Sequence, residues 1–276
     1  MTSPTDEMAD ESLGEFAALR LSVRGGVAEL VLTRPEEGNP FDGTLHPEFQ
    51  DAIGRLRSRR DIRAAVIGAT GEMFSGSGGN LEFFQHVNRD LGLWLEIGDA
   101  ARRLFLDILD LRMPVVAALN GPARGFGATV ALACDAVVAA RSASLAEPHV
   151  TMGLVAGDGG PVVWPHSVGV LRAKRYLLTG DPIPAEDAFR MGLVTDLVDQ
   201  PAEALSAGRA LAARIAALPP LAVQGTKRAV NRGLLARAGE VLELGLAYEG
   251  LAATSADMRE VITAHREGRP GRFAGR

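Results

Sequence analysis

The chain has 276 residues, 47% of them hydrophobic and 23% charged, the balance of an ordinary globular protein with one large domain or a domain and an appendage. A formal net charge of −5 argues against a general nucleic-acid binder, which needs a basic face. The single cysteine, Cys134, excludes an internal disulfide and a cysteine metal cluster; its apolar surroundings read as those of a small buried thiol.

The opening residues, MTSPTDEMADES, are acidic and polar, unlike the basic and then apolar start of a signal peptide. They predict a disordered tail over 1–14 and a cytoplasmic protein. No stretch reaches about 18 uninterrupted apolar residues, so no membrane partner is expected. LRLSVRGGVAELVLTRP predicts two short strands around a turn at Arg24-Gly25-Gly26, with alternating apolar positions. A loop, PEEGNPFD, then leads to a helix over Thr44 to Ser58. AAVIGAT (64–70) and PVVAALN (114–120) are short apolar runs with the pattern of buried strands. Between them, Trp94, Ile97, Ala101, Leu104, Ile108 and Leu111 recur at helical spacing. GATVALAC opens another helix and DAVVAA (135–140) another strand. From Leu171 onward helix follows helix, with VTDLV (194–198) as a lone strand. The stretch 202–265 is expected to break at Pro219-Pro220 and at Gly233, and RPGRFAGR to be mobile. The whole reads as an α/β fold over 15–200 followed by a helical region over 201–276.

Three glycine clusters follow predicted strands: MFSGSGGNL (73–81), NGPARGFGATVALACD (120–135) and GLVAGDGG (153–160). Backbone N–H groups at a glycine-rich helix entry can point at an anion or a developing oxyanion, although such loops also serve only as tight turns. Neither G-x-x-x-x-G-K-[ST] nor G-x-G-x-x-G follows the first strand, which argues against nucleotide binding. No G-x-S-x-G nucleophile elbow occurs, although Ser77 lies between glycines. His149 and Asp158, nine residues apart in AEPHVTMGLVAGDGG, carry two readings. They form a proton-moving pair, or His149 is a satisfied core histidine and Asp158 a helix cap.

The TRP turn, FSGSGGNL, NGPARGFGATVALACD and LLTGDPIPAEDAFRMGLV, in this order over residues 19–265, resemble the crotonase (enoyl-CoA hydratase/isomerase) superfamily. The resemblance implies a ββα spiral core with a helical C-terminal trimerisation region, assembled as a homotrimer or dimer of trimers. It implies an acyl-CoA thioester substrate, with coenzyme A part of that substrate, no separate cofactor and no metal. By motif position the Gly79 and Phe126 N–H groups form the oxyanion hole, with Ser77, Gly78 and Gly125 in the substrate-binding loops. Lys227 matches a late-helix lysine that meets a CoA phosphate, and Arg124 is a further candidate for phosphate or substrate.

The departures bear on chemistry. The two glutamates of the family's hydratases fall at Thr129 and His149, and threonine cannot act as an acid or base near neutral pH. His149 and Asp158 are therefore the acid–base candidates of a hydratase or isomerase. The block PHVTMGLVAGDGGPVVWPHSVG, with LGLAYEGLAA, is also similar to the β-diketone hydrolases related to 6-oxocamphor hydrolase. That similarity implies a retro-Claisen carbon–carbon cleavage instead, and the missing glutamates leave a non-catalytic acyl-CoA-binding protein as a third reading. Glu147 reads as an exposed carboxylate, His166 as a packed core residue, and His46, His86 and His265 as polar residues without a role.

Overall fold

A computed structural model of the chain describes residues 10–76 and 81–276. The elements run β1 (Glu11–Ser12), β2 (Leu19–Arg24), β3 (Val27–Leu32), α1 (Leu45–Ser58), β4 (Ala64–Ala69), α2 (Leu81–Val87), α3 (Leu91–Asp110) and β5 (Val115–Leu119). Then come β6 (Ala123–Arg124), α4 (Phe126–Ala133), β7 (Ala136–Ala140), β8 (Ser144–Ala146), α5 (Gly160–Val168) and α6 (Val170–Leu177). The chain finishes with β9 (Ile183–Pro184), α7 (Ala185–Met191), β10 (Asp196–Val198), α8 (Glu203–Ala216), α9 (Pro220–Ala253) and α10 (Ala256–Glu267).

Seven strands form one sheet in the order β1-β2-β3-β4-β5-β7-β10. The first three pair antiparallel, and β3, β4, β5, β7 and β10 run parallel. Every residue of β4 and β5 is buried, because helices cover both faces of the parallel part. Ala64 and Val66 of β4 face Ala212 and Ala216 of α8. Ala65 and Ile67, one residue out of phase, join the main core with Leu104, Phe105 and Ile108 of α3. This is the α/β arrangement the alternating pattern predicts, with a helical C-terminal region.

Three expectations are corrected. Most of the stretch expected to be disordered, residues 1–9, lies outside the described residues, but Glu11 and Ser12 pair with Val23 and Ser22 as an edge strand. Gly233 does not break α9, which runs for 34 residues; packing on α3 and α5 outweighs the roughly 1 kcal/mol that a helical glycine costs. The last residues are held down: Ala274 and Gly275 donate their N–H groups to the Asp257 carboxylate, and the Ala256 N–H donates to the Arg276 carbonyl. Among the described residues, no helix is long and apolar enough to cross a membrane.

Candidate active site

In a parallel sheet the loops leaving the carboxyl ends of the strands are where a ligand is met. The loops after β4 and β5 leave side by side and are bound together. Phe74 and Ser75 donate their N–H groups to the Pro122 carbonyl at 3.1 and 3.2 Å, and Arg124 donates to the Ser75 carbonyl at 3.0 Å. A Cβ on Gly121 would stand 1.8 Å from the Glu72 carbonyl oxygen, so the NGP turn needs its glycine. Buried Asn39 clamps the same region from below, donating to the Thr70 and Met73 carbonyls at 3.0 Å each. Ser77, Gly78 and Gly79, the first-loop candidates, lie outside the described residues.

Phe126 opens α4, after Gly125 at φ 54°. As the first residue of the helix it has no helical carbonyl four residues back, so its N–H is available to an oxyanion. Its ring enters the pocket wall, stacked on His46 at 4.7 Å between centroids and edge-on to Phe41 at 5.3 Å. His46 is thus not a polar surface residue. Burial pushes its imidazole pKa down to about 4, and its Nδ1 has no partner among the described residues. Phe83, Phe84, Trp94 and Leu246 complete an apolar lining that opens onto Gly125, His149, Asp158 and Glu249.

His149 starts a short 3-10 turn, His149–Met152, just after β8. Its Nδ1 contacts Glu147 Oε1, and Glu147 Oε2 accepts a hydrogen bond from the Thr129 hydroxyl at 3.4 Å. Its Nε2 stands 3.6 Å from Asp158 Oδ2 and 3.6 Å from Glu249 Oε1. Glu147, Asp158 and Glu249 are all buried. The expectation of an exposed Glu147 is therefore corrected: it follows directly on β8, whose last residues are buried, and the turn at Pro148 brings the imidazole back onto its carboxylate.

One imidazole among three buried carboxyl groups sets the electrostatics. Burial alone lowers the His149 pKa, but Glu147, Asp158 and Glu249 outweigh it and hold the proton well above the ordinary histidine range. Burial pushes the Asp158 carboxyl up to about 7, against the pull of the imidazolium. Burial raises Glu249 as well, and Asp158 and Glu147 add to it. Asp158 Oδ1 and Glu249 Oε2 are buried without a partner among the described residues. Donor atoms of Glu147, His149 and Asp158 lie within 4.8 Å of one another, close enough for a cation. An imidazolium offers no lone pair, however, so this charge state suits proton transfer better than metal ligation.

Glu249 was not singled out from the sequence. It reaches the site because α9 crosses the third glycine loop with Gly245 against Gly157, and Glu249 follows one turn later on the same face. The spacing of Gly245 and Glu249 within LGLAYEGLAA is the signal that finds it. Lys227 is not presented to a ligand: its buried ammonium donates to Asp135 Oδ2 at 2.7 Å and to the Met113 carbonyl at 3.0 Å. Arg124 is exposed beside the pocket and has no salt bridge among the described residues. His166 is exposed on α5 rather than packed, and Cys134 is half-buried, its thiol donating to the Val130 carbonyl.

The profile of the enoyl-CoA hydratase/isomerase family matches residues 22–276. The chain belongs to this family. A probable enoyl-CoA hydratase from Rhodobacter capsulatus is 34% identical over 261 residues, spanning 95% of this chain and 99% of that protein. The crystal structure of an enoyl-CoA hydratase/isomerase from Mycobacterium paratuberculosis superposes with a TM-score of 0.85 at 34% identity, covering 91% of this chain and 99% of that one. A β-diketone hydrolase from the cyanobacterium Anabaena shares the fold, with a TM-score of 0.79 at 24% identity over 87% of this chain and 95% of its own. Family membership makes this crotonase-fold chain an enzyme of the enoyl-CoA hydratase/isomerase family.

Proposed function

We propose that the protein catalyses proton transfer to and from an acyl-CoA thioester through an enolate, with carboxyl groups that differ in origin from the family's usual glutamate pair. The observation that carries this reading is the placement of Asp158 Oδ2 and Glu249 Oε1, each 3.6 Å from His149 Nε2 at the end of one apolar pocket. The carboxylates lost at Thr129 and His149 are supplied instead from the GLVAGDGG loop and from α9.

In this scheme ionised Asp158 takes a proton from a carbon beside the thioester carbonyl, and the electron pair moves onto the carbonyl oxygen. The Phe126 N–H, with the Gly79 N–H as its partner donor, stabilises that oxyanion; losing one such donor costs on the order of a hundredfold in rate. Returning the proton at a different carbon isomerises a double bond. Adding water across a conjugated double bond uses the same groups: one carboxylate deprotonates the water as it attacks, and an acid protonates the enolate carbon. His149, held charged by Glu147, pulls the Asp158 carboxyl back from where burial would push it, to about 7, near the pH at which it exchanges protons. Arg124 at the pocket mouth is the proposed contact for a CoA phosphate. Coenzyme A enters as part of the substrate, and no separate cofactor is needed.

The same-site rival is retro-Claisen cleavage of a β-diketone, favoured by the charged imidazole standing beside a buried acid. There, water bonds to one carbonyl carbon, the carbon–carbon bond breaks, and the other carbonyl carries the electrons away as an enolate. Incubation with enoyl-CoA and acyl-CoA thioesters in deuterated water separates the two. Hydration, double-bond migration or deuterium uptake beside the thioester supports the proposal; cleavage of a cyclic 1,3-diketone with no thioester reaction overturns it. A homotrimer or dimer of trimers in the cytoplasm belongs to the same proposal. Exposed Leu244, Tyr248 and Leu251 on one face of α9 support association, which sedimentation would test.

A further inference from the structure

His149 has one donor left to give and two buried carboxyl groups to receive it. Its Nδ1 is taken up by Glu147, so only the Nε2–H remains, 3.6 Å from Asp158 Oδ2 and 3.6 Å from Glu249 Oε1. Glu147 and the imidazolium balance each other's charge. Among the described residues, no lysine or arginine forms an ion pair with Asp158 or Glu249. A buried carboxylate with neither a donor nor a counter-charge is costly, so one of the two carboxyls keeps its own proton. The pair is an acid beside a base, not two bases.

The helices decide which is which. Asp158 stands immediately before Gly159, the N-cap of α5, where the positive end of a helix favours an anion. Glu249 lies one turn from the C-terminal end of α9, where carbonyl oxygens gather and an anion is disfavoured. Its neighbours on the same helix face, Gly245, Leu246, Ala252 and Ala253, bring no positive charge. The titratable groups that face Glu249 from other elements are His149 of the 3-10 turn, Asp158 of the third glycine loop and Glu147 after β8. Two of these three repel a negative charge. Glu249 nonetheless lines the pocket, and its Oε2 is buried without a partner among the described residues.

We infer that Glu249 is a catalytic residue, the acid of this site, and that Asp158 beside it acts as the base. The inference rests on the acyl-CoA reading above and divides its chemistry into two steps. In the first, Asp158 takes a proton from the carbon beside the thioester carbonyl, and the electron pair moves onto the carbonyl oxygen. In the second, for a 3-enoyl thioester, Glu249 gives its proton to the far carbon of the double bond. The electrons on oxygen re-form the carbonyl, and the double bond comes to rest one position nearer to it. Asp158 ends protonated and Glu249 ionised, and proton transfer between them through water restores both.

Two measurements on the full-length protein in deuterated water separate the steps. Deuterium uptake beside the carbonyl of butyryl-CoA reads the first step alone. Conversion of 3-hexenoyl-CoA to 2-hexenoyl-CoA reads both. Glu249→Gln should lower conversion about a hundredfold or more relative to its own uptake into butyryl-CoA, the usual span for a lost general acid. An unchanged ratio of the two rates overturns the inference. Wild-type uptake without any conversion overturns it as well, and leaves the acyl-CoA reading standing. Neither reaction in the wild-type protein overturns that reading itself. Carbon-13 labelling of the glutamate side-chain carboxyls decides the matter if Glu249→Gln does not fold. One glutamic acid of the wild-type protein should stay protonated at about pH 6, where exposed glutamates are ionised. Absence of such a signal overturns the assignment.

Discussion

Gly245 of α9 lies directly on Gly157 of the third glycine loop: a Cβ on Gly245 would stand 3.0 Å from the Gly157 carbonyl oxygen, and one on Gly157 only 2.5 Å from that of Gly245. Backbone meets backbone here, and the Glu249 carboxyl is placed by that approach. Gly157→Ala would also press within 2.6 Å of Glu249 Oε2. The variant should be destabilised by about 1–3 kcal/mol through overpacking and lose most of its activity, read from its thermal midpoint and turnover. An active, fully stable variant would show that the close crossing is not needed.

Asp158→Asn keeps the shape of the side chain and removes its proton chemistry. Turnover should fall by about a hundredfold to ten-thousandfold, the usual span for a general acid or base, while affinity for a thioester stays nearly unchanged. Steady-state kinetics beside calorimetry check this. Unchanged turnover would remove Asp158 from the mechanism.

Glu147→Gln addresses charge without touching the acid itself. Wild-type activity that needs ionised Asp158 should rise as the pH passes through about 7. The Glu147 carboxylate helps to raise the pKa values of both Asp158 and His149, so its loss should move that rising limb to lower pH. A pH–rate profile with the limb in its original position would contradict this coupling.

Stability carries the same signature with a definite sign. Burial lifts the Asp158 pKa from its ordinary 3.8 to about 7, so the folded protein holds that proton more tightly than the unfolded chain. Its contribution is fully present below about pH 3.8 and is lost as the pH rises through 7. The thermal midpoint of Asp158→Asn, relative to wild type, should therefore climb between pH 4 and pH 8. A pH-independent difference would mean that the carboxyl titrates normally.

Lys227→Met separates architecture from ligand binding. Removing the ammonium takes a donor from the Met113 carbonyl and leaves Asp135 with the Val115 N–H, and breaking a largely buried pair of this kind costs up to about 3–5 kcal/mol. Denaturant unfolding should show that loss, whereas KM for a CoA thioester should stay within about twofold, since no ligand contact is removed. A large rise in KM with unchanged stability would restore the lysine to the CoA site.

The fold was legible because β4 and β5 are short, wholly apolar runs and α3 carries a clear helical period. Those are local signals that the final packing leaves intact. His149 and Asp158 stood out because their residue types are rare among glycines. Glu147, His46 and Glu249 did not, for a shared reason. A carboxylate or an imidazole is ordinarily a surface group, and what buries these three lies far away in the chain: Thr129 for Glu147, Phe126 for His46, and Gly157 for Glu249. Lys227 misled in the opposite direction, since a basic residue on a helix gives no sign that Asp135 waits for it across the core.

The bonding of Ser75 and Pro122 has a mechanical meaning. Two loops that share hydrogen bonds in both directions, with Gly121 seated on the Glu72 carbonyl, form one rigid body rather than two hinged arms. An N–H group on such a body is already aimed before charge develops, so little reorganisation energy is added to the barrier. The opposite wall of the pocket is built separately, from Phe83, Phe84 and Trp94 of α2 and α3.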